Sequence, residues 1–348
     1  MRSLVFITQE VDPAHPALAA TIPKIAALAR NVDRVSVLSA GAVPGALPAN
    51  CRVRTFGART KPQRGARFVA ALSAELARGR PLAVVAHMCP IYAVLAAPIA
   101  RPLHVPVLLW YTHWHASPTL RVAARVSNCI LSVDRASFPL EHPRVHAIGH
   151  GIDLTQFACV GGRGVDASLR LLALGRYSPA KGLDTVLRAV RRAVDAGLDV
   201  RLVAHGPTLS QLERDHLAEL ERLVADLRLG DRVRLEGPVL REAVGGLLAE
   251  SDALVNNMRA GAPDKVVYEA AASCVPALAS NPVFAGFLPD SLRFGRERPE
   301  ELAGALRTFA ALTAPGRAEI GRTLRERVAR EHSVDHWAEQ VVAVAEAT

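Results

Sequence analysis

Short apolar runs recur along the first half of the chain with helical stretches between them. SLVFIT, RVSVLS, LAVVAH, PVLLWY, NCILSV and RVHAI read as buried strands, and segments such as 17–31 and 65–78 have amphipathic spacing. That alternation predicts parallel strands joined by crossover helices. A glycine-rich break, VGGRGVDAS at 160–168, precedes a second alternation. There the pattern predicts strands at 169–174, 199–204, 232–236, 252–256 and 276–280, with helices near 182–196, 209–228, 240–250 and 265–274. Both halves therefore read as α/β, doubly wound, Rossmann-like domains. The tail from about 299 to 346 is expected to be helical throughout, and its last piece, HSVDHWAEQVVAVAEA, has the spacing of a helix that packs on a surface. The expected domains are 1–159, a linker at 160–168, a second domain at 169–330, and a helix at 331–348 packing back toward the N-terminal domain. Pro81 to Ala100 carries no formal charge over a length that could span a bilayer, but Pro81, Pro90 and Pro98 interrupt it and His87 sits in its middle, so a buried strand leading into a buried helix is expected.

At 348 residues the chain exceeds one ordinary core and suits two domains. Half the residues are hydrophobic and mean hydropathy is only +0.17, as in a globular protein. Five cysteines (Cys51, Cys89, Cys129, Cys159 and Cys274) stand without a CxxC pair, which argues against a zinc site or a disulfide framework and for a reducing cytoplasm. The start, MRSLVFITQEVD, has too short an apolar run for a signal peptide. Charge is uneven. Residues 1–160 hold 17 Lys and Arg against 7 Asp and Glu, a net +10, leaving 25 against 26 for the remainder. Between Arg52 and Arg80 eight basic residues face only Glu75. Such a face attracts an anionic membrane surface or an acidic acceptor, or is simply a solvated surface. Aromatic residues make up 5% and no nucleic-acid motif appears, so nucleic acid is not an expected partner. No GxGxxG follows the first strand, where Thr8 to Asp12 stand instead, and there is no Walker A motif.

The densest chemistry lies from Asp264 to Ser280, DKVVYEAAASCVPALAS, where an Asp-Lys helix start precedes an inward Glu269 and an apolar strand. A helix start offers unpaired N–H groups and the positive dipole end to an anion, and Lys265 adds a full charge. Upstream, Arg176 and Lys181 flank a strand-to-helix turn in LLALGRYSPAKG. Each piece alone also fits an ordinary turn with exposed bases; their order and context point to a diphosphate site.

These residues resemble a family pattern. The chain is similar to retaining glycosyltransferases of the GT-B fold, of the GT4-type, group 1 family, over most of its length and most strongly from Trp110 to Gln156 and Leu171 to Ser280. The matching pieces are LLWYTHWHASPTLR, ILSVDRASF, GHGIDLTQF, GRYSPAKG, VAHGP, LEGPV and DKVVYEAAASCVPALAS. The resemblance implies two Rossmann-like domains facing a central cleft, the C-terminal one holding a nucleotide diphospho-sugar and the N-terminal one the acceptor. It implies metal-independent transfer with no cofactor, and no Asp-x-Asp motif is present to chelate a divalent ion. By resemblance Arg176 and Lys181 neutralise the leaving diphosphate, with Lys265 assisting, because fixed cations there stabilise the transition state more than the ground state. Glu269 matches the last carboxylate of the paired-glutamate motif, which grips the ribose hydroxyls. Eight residues earlier the family has a glutamate facing the donor sugar, and this chain has Gly261. Asp264 could supply that carboxylate from a shifted position.

LEGPV, with Pro238 and Val239, matches the loop that contacts the nucleobase, and Gly206 allows close backbone approach or marks a simple helix entry. His113 matches the histidine that faces the donor sugar, with His115 the competing choice. His87 is placed as a cleft residue or a buried, satisfied histidine, and His150 as a hinge residue in GHGID. Asp12 or Glu10 either binds a polar acceptor or caps the first helix. The implied activity is hexosyl transfer from a UDP- or GDP-sugar to a glycan, lipid-linked or small-molecule acceptor near the cytoplasmic membrane face. Two alternatives share the architecture: a nucleotide-sugar epimerase and a catalytically degenerate partner subunit. The basic 52–80 surface and the GRYSPAKG turn oppose the first; intact Arg176, Lys181 and Glu269 oppose the second, which Gly261 favours.

Overall fold

A computed structural model describes residues 2–15, 18–159 and 168–348, so the glycine-rich break at 160–167 and the first residue of the 17–31 segment lie outside the described residues. The chain divides into two compact units, Met1–Asp153 with Glu331–Thr348, and Leu154–Arg330.

The first unit is built on a seven-stranded parallel sheet ordered Cys51–Thr55, Arg34–Ser39, Ser3–Ile7, Val84–His87, Val107–Trp110, Cys129–Ser132 and Val145–Ala147. The strands are apolar because helices cover both faces, and every residue of Ser3–Ile7, Val84–His87, Val107–Trp110 and Cys129–Ser132 is buried. Strand order reverses between Ser3–Ile7 and Val84–His87, the position where doubly wound sheets bind ligands. The uncharged 81–100 segment forms strand Val84–His87 and helix Pro90–Ala100 as expected, and no helix of the described residues is long and apolar enough to cross a membrane.

The edge strand Cys51–Thr55 is absent from the sequence reading. It has no buried residue, and its Arg52 and Arg54 make the segment register as charge rather than as a strand. Those arginines have a partner in the fold. Glu75 is buried; its Oε1 lies 2.7 Å from Arg54 Nε, 3.3 Å from Arg78 Nη1 and 3.9 Å from Arg52 Nε, while its Oε2 accepts from Ser36 Oγ at 2.9 Å. A buried carboxylate requires such compensation, so part of the basic excess is internal.

Helix Val334–Ala347 lies against helix Thr21–Asn31. Trp337 is fully buried there beside Lys24, whose Nζ sits 3.8 Å from the Trp110 ring centroid and 5.1 Å from that of Trp337. The GHGID run threads past this helix's start: Ile152 N donates to His332 O at 2.7 Å and Val334 N to Ile152 O at 2.8 Å. Gly149 and Gly151 have φ of 75° and 76°, and a Cβ on Gly151 would meet Lys24 Cε at 2.6 Å. The tail is helical as expected, in three helices, Pro299–Ala310, Ala314–Glu331 and Val334–Ala347. Pro315 cannot extend the first of them, and Ser333 starts the last by accepting from His336 N at 3.2 Å.

The second unit has a five-stranded parallel sheet ordered Val233–Glu236, Val200–His205, Leu169–Leu174, Ala253–Asn256 and Ala277–Ala279. Each strand falls within a residue or two of its predicted span. Helices Leu183–Asp195, Gln211–Asp226 and Lys265–Ala272 also match, whereas 240–250 resolves into a 3-10 turn, Arg241–Ala243, and a short helix, Val244–Ala249.

Against expectation, Cys159 and Cys274 form a disulfide across 115 residues of sequence. The fold brings the two segments together, since Arg325 Nη1 donates to Phe157 O at 2.7 Å and also to Ala272 O. Local cysteine spacing is blind to a pairing of this range.

Candidate functional site

Strand order in the second sheet reverses between Leu169–Leu174 and Ala253–Asn256. The residues leaving those two strands, Gly175 and Arg176 on one side and Asn256 and Asn257 on the other, line a single recess together with Ser178 and Lys181. The turn at its mouth, Pro179–Lys181, is one 3-10 turn started by Ser178, whose Oγ accepts from Ala180 N at 3.2 Å. Gly182 ends it in the left-handed region at φ 54°, where its carbonyl accepts from Asn257 Nδ2 at 2.8 Å.

Lys181 Nζ is hydrogen-bonded to Asp264 Oδ2, which also accepts from Asn256 Nδ2 at 2.9 Å. Asp264 stands at the start of helix Lys265–Ala272. Burial is the largest influence on its carboxyl and pushes it up, but the charge and hydrogen bond of Lys181, the Asn256 amide and the charge of Lys265 together hold it below the usual carboxylate range. Gly175 is required by the same contact: its φ is 138°, and a Cβ there would lie 2.7 Å from both Cε and Nζ of Lys181. Gly206 has a reason inside the protein as well, because a Cβ on it would collide with Gly175 O.

The other predicted cation, Arg176, is half exposed and donates from Nη1 to Glu213 Oε1 at 3.0 Å. Glu213 is buried and its Oε2 accepts from Leu209 N at 2.6 Å. Glu269 is 1% exposed; Arg241 Nη1 approaches its Oε1 at 2.6 Å and Lys265 Nζ at 3.4 Å. The structure thus gathers Arg176 and Lys181 on one recess, links Lys181 to Asp264, and links Lys265 to Glu269. Each cation already carries a carboxylate, so an arriving phosphate would exchange with Asp264 or Glu213 rather than meet bare charge.

Pro238 and Val239 lie on the loop after strand Val233–Glu236, where His205 Nδ1 is 3.3 Å from Gly237 O. Gly261 has φ 117°, a conformation side chains rarely adopt, and Asn281 Nδ2 donates to Gly261 O at 3.2 Å and to Ala262 O at 3.3 Å. The loop is shaped around a glycine, not around a displaced glutamate.

In the first unit His113 follows strand Val107–Trp110 and stacks on Trp114 with ring centroids 5.2 Å apart; its Nδ1 accepts from His115 N at 3.0 Å. His115 is exposed, and its carbonyl accepts from Tyr111 OH at 3.1 Å. His87 is buried, stacked on Trp110 with its Nε2 3.5 Å from Lys24 Nζ. Burial first and the Lys24 charge second keep its imidazole neutral, well below the ordinary histidine range. His150 faces the Trp110 ring edge-on at 6.2 Å. Asp12 closes its own turn, Oδ1 accepting from Ala14 N at 2.8 Å, after a short strand Glu10–Val11 paired with Gly41–Ala42.

Four residues that matter to this geometry escaped sequence reading: Asn256, Asn257, Tyr177 and Arg296. The asparagine pair ends the strand across the reversal point, which the strand order alone would have marked. Tyr177 OH donates to Ala204 O at 2.9 Å and Glu236 O at 2.8 Å, fastening the Arg176 turn to the two neighbouring strands, and burial pushes its phenol well up.

Residues 168–311 match the family described as Glycosyl transferases group 1. No curated protein matches the chain in sequence. Among solved structures, sucrose-phosphate synthase from Thermosynechococcus elongatus is similar at 18% identity and a TM-score of 0.75, covering 99% of this chain and 98% of that one. HepE of Anabaena, solved with UDP and glucose, is similar at 17% identity and a TM-score of 0.77 over the whole of both chains. A glycosyltransferase from Rickettsia africae is similar at 11% identity and a TM-score of 0.79, covering 99% and 98%. With two doubly wound sheets of the GT-B fold, a cationic recess at the reversal point of the second and a match to glycosyl transferases group 1 across residues 168–311, the chain is a glycosyltransferase.

Proposed function

We propose that the chain transfers a hexose with retention, in the GT4 manner and without metal, from a UDP- or GDP-linked sugar to a glycan, lipid-linked or small-molecule acceptor. The observation that carries this reading is the placement of Lys181 and Arg176 on one recess at the reversal point, with the helix start at Asp264 and Lys265 joined to it through the Lys181–Asp264 pair. HepE, with the same fold, is described with UDP and glucose, which supports a uridine donor.

As the bond from the sugar to the β-phosphate breaks, its electron pair passes to the phosphate oxygen. Lys181 and Arg176 stabilise that charge in place of a metal ion. Asp264, released from Lys181 when the diphosphate binds, supplies the carboxylate that Gly261 lacks. Glu269, held by Arg241 and Lys265, accepts from the ribose hydroxyls. The Pro238–Val239 loop takes the base. On the first unit the proposed contacts to the acceptor are His113, with His115 the competing choice, and Asp12, while His87 is buried against Trp110 and takes no such contact. For retention, the leaving phosphate assists the incoming hydroxyl on the same face of the sugar. Exposed Arg59 and Lys61, within the Arg52–Arg80 stretch, are the proposed contact to an anionic membrane surface. Steady-state transfer from UDP- and GDP-hexoses by wild type and Asp264→Ala tests the site: turnover should fall at least about tenfold, and full turnover in the variant would remove Asp264 from the reaction.

A further inference from the structure

The turn that carries Lys181 is only three residues long and passes through Gly182 into helix Leu183–Asp195. Two of its carbonyls, Pro179 O and Ala180 O, share a side-chain donor with Asn257 O, which follows the neighbouring strand Ala253–Asn256. Ala180 O accepts from Arg259 N at 3.2 Å and Pro179 O from Gly182 N at 3.1 Å, and one guanidinium reaches all three carbonyls. Arg296 Nη1 donates to Ala180 O at 2.9 Å and to Asn257 O at 3.2 Å, and Nη2 donates to Pro179 O at 3.2 Å. Arg296 comes from the segment between the 3-10 turn Asp290–Leu292 and helix Pro299–Ala310, more than a hundred residues from the turn it holds. Its Nε lies 3.7 Å from Glu297 Oε1.

We infer that Arg296 is a positioning residue for Lys181. The inference rests on reading Lys181 as the cation for the donor diphosphate. Its two terminal nitrogens are taken up by protein carbonyls, so its effect on a phosphate passes through the turn. Clamping Pro179 and Ala180 to Asn257 fixes both sides of the reversal point against each other, which sets Lys181 Nζ against Gly175 and within reach of Asp264. A planar fork can span three carbonyls on two segments; an ammonium, a point donor on a flexible stem, cannot reproduce that span.

The test compares wild type, Arg296→Ala, Arg296→Lys, Lys181→Ala and the Arg296→Ala/Lys181→Ala double variant. Calorimetry gives affinities for UDP, GDP and the matching monophosphates, and donor turnover gives kcat and KM. In Arg296→Ala, diphosphate affinity and kcat should fall about tenfold while monophosphate affinity stays within about twofold, and Arg296→Lys should recover part of the loss. In the Lys181→Ala background Arg296→Ala should cost nothing further, the non-additivity expected of residues acting through one group. An equal loss for mono- and diphosphate, or the same loss with and without Lys181, overturns the role of Arg296 while leaving the diphosphate reading intact. Unchanged diphosphate affinity in Lys181→Ala overturns both. If Arg296→Ala fails to fold, Arg296→Lys carries the same comparison, since it keeps the charge and loses the fork.

Discussion

Gly175→Ala separates the function of Lys181 from the stability of the turn around it. A methyl group at this position would stand 2.7 Å from Lys181 Cε and Nζ. Comfortable contact needs about 3.5–4.0 Å, so the amine must retreat by roughly 1 Å, and that is cheap because the obstacle is the free end of a flexible side chain. The backbone is not free of cost: φ is 138°, and an alanine held there stores roughly 1–3 kcal/mol of strain. Gly197→Ala supplies the control, with φ 85° and open space around its Cβ. Both variants should lose a few degrees of Tm, at about 2–4 °C per kcal/mol for a unit of this size. Only Gly175→Ala should lose catalysis, since a displacement of about 1 Å can cost on the order of a hundredfold in rate. Donor turnover measured beside thermal melts decides the matter. A Gly175→Ala enzyme with the kcat of Gly197→Ala would show that the position of Lys181 Nζ is irrelevant to the chemistry.

Three further outcomes are expected. Reduction, or Cys274→Ser, should lower the unfolding free energy by roughly 2–5 kcal/mol, because the disulfide closes 115 residues of chain; identical urea midpoints with and without reductant would contradict it. His332, whose imidazole burial lowers to about 4, remains neutral in the fold while it charges in the unfolded chain below its ordinary 6.5. The unfolded state then binds more protons, so stability should fall by about 2 kcal/mol between pH 7.5 and pH 5, and a His332→Asn variant should lose that part of the slope; a variant with an unaltered profile would contradict it. Asp264 is held below 3.8, so its ionic stabilisation is present above that pH and is lost only as pH falls below it. The pH profile of kcat/KM between pH 6 and pH 8, which reports groups of the free enzyme, should therefore show no titration removed by Asp264→Asn, and an inflection there that the substitution abolishes would refute the ionised Lys181–Asp264 pair.

Much of the second unit was legible because strands Leu169–Leu174, Ala253–Asn256 and Ala277–Ala279 are almost wholly buried apolar runs, Val200–His205 alternates, and the turns carry glycine at positions where a side chain collides, as at Gly175 and Gly182. The Asp-Lys helix start was legible for the same local reason. What escaped depends on distance along the chain. Cys159 and Cys274 are joined by a fold that places Phe157 beside the end of helix Lys265–Ala272. Arg296 serves carbonyls that no sequence pattern marks, and backbone acceptors leave no trace in residue identity. Arg52 and Arg54 read as surface charge, yet they answer a buried Glu75 from a strand on the sheet edge. Lys24 sits inside an amphipathic helix, where a lysine normally signals the wet face; the rings of Trp110 and Trp337 receive it instead.

Titration of UDP, GDP and the matching monophosphates into wild type and Lys181→Ala, with sugar release from the corresponding donors followed in parallel, is the most direct measurement. One diphosphate should bind saturably to wild type, at least about tenfold more weakly to Lys181→Ala, with transfer lost in the variant and monophosphate affinity unchanged. Equal diphosphate affinity in the two proteins, or transfer that survives without Lys181, would contradict a diphosphate site at the reversal point of the second sheet.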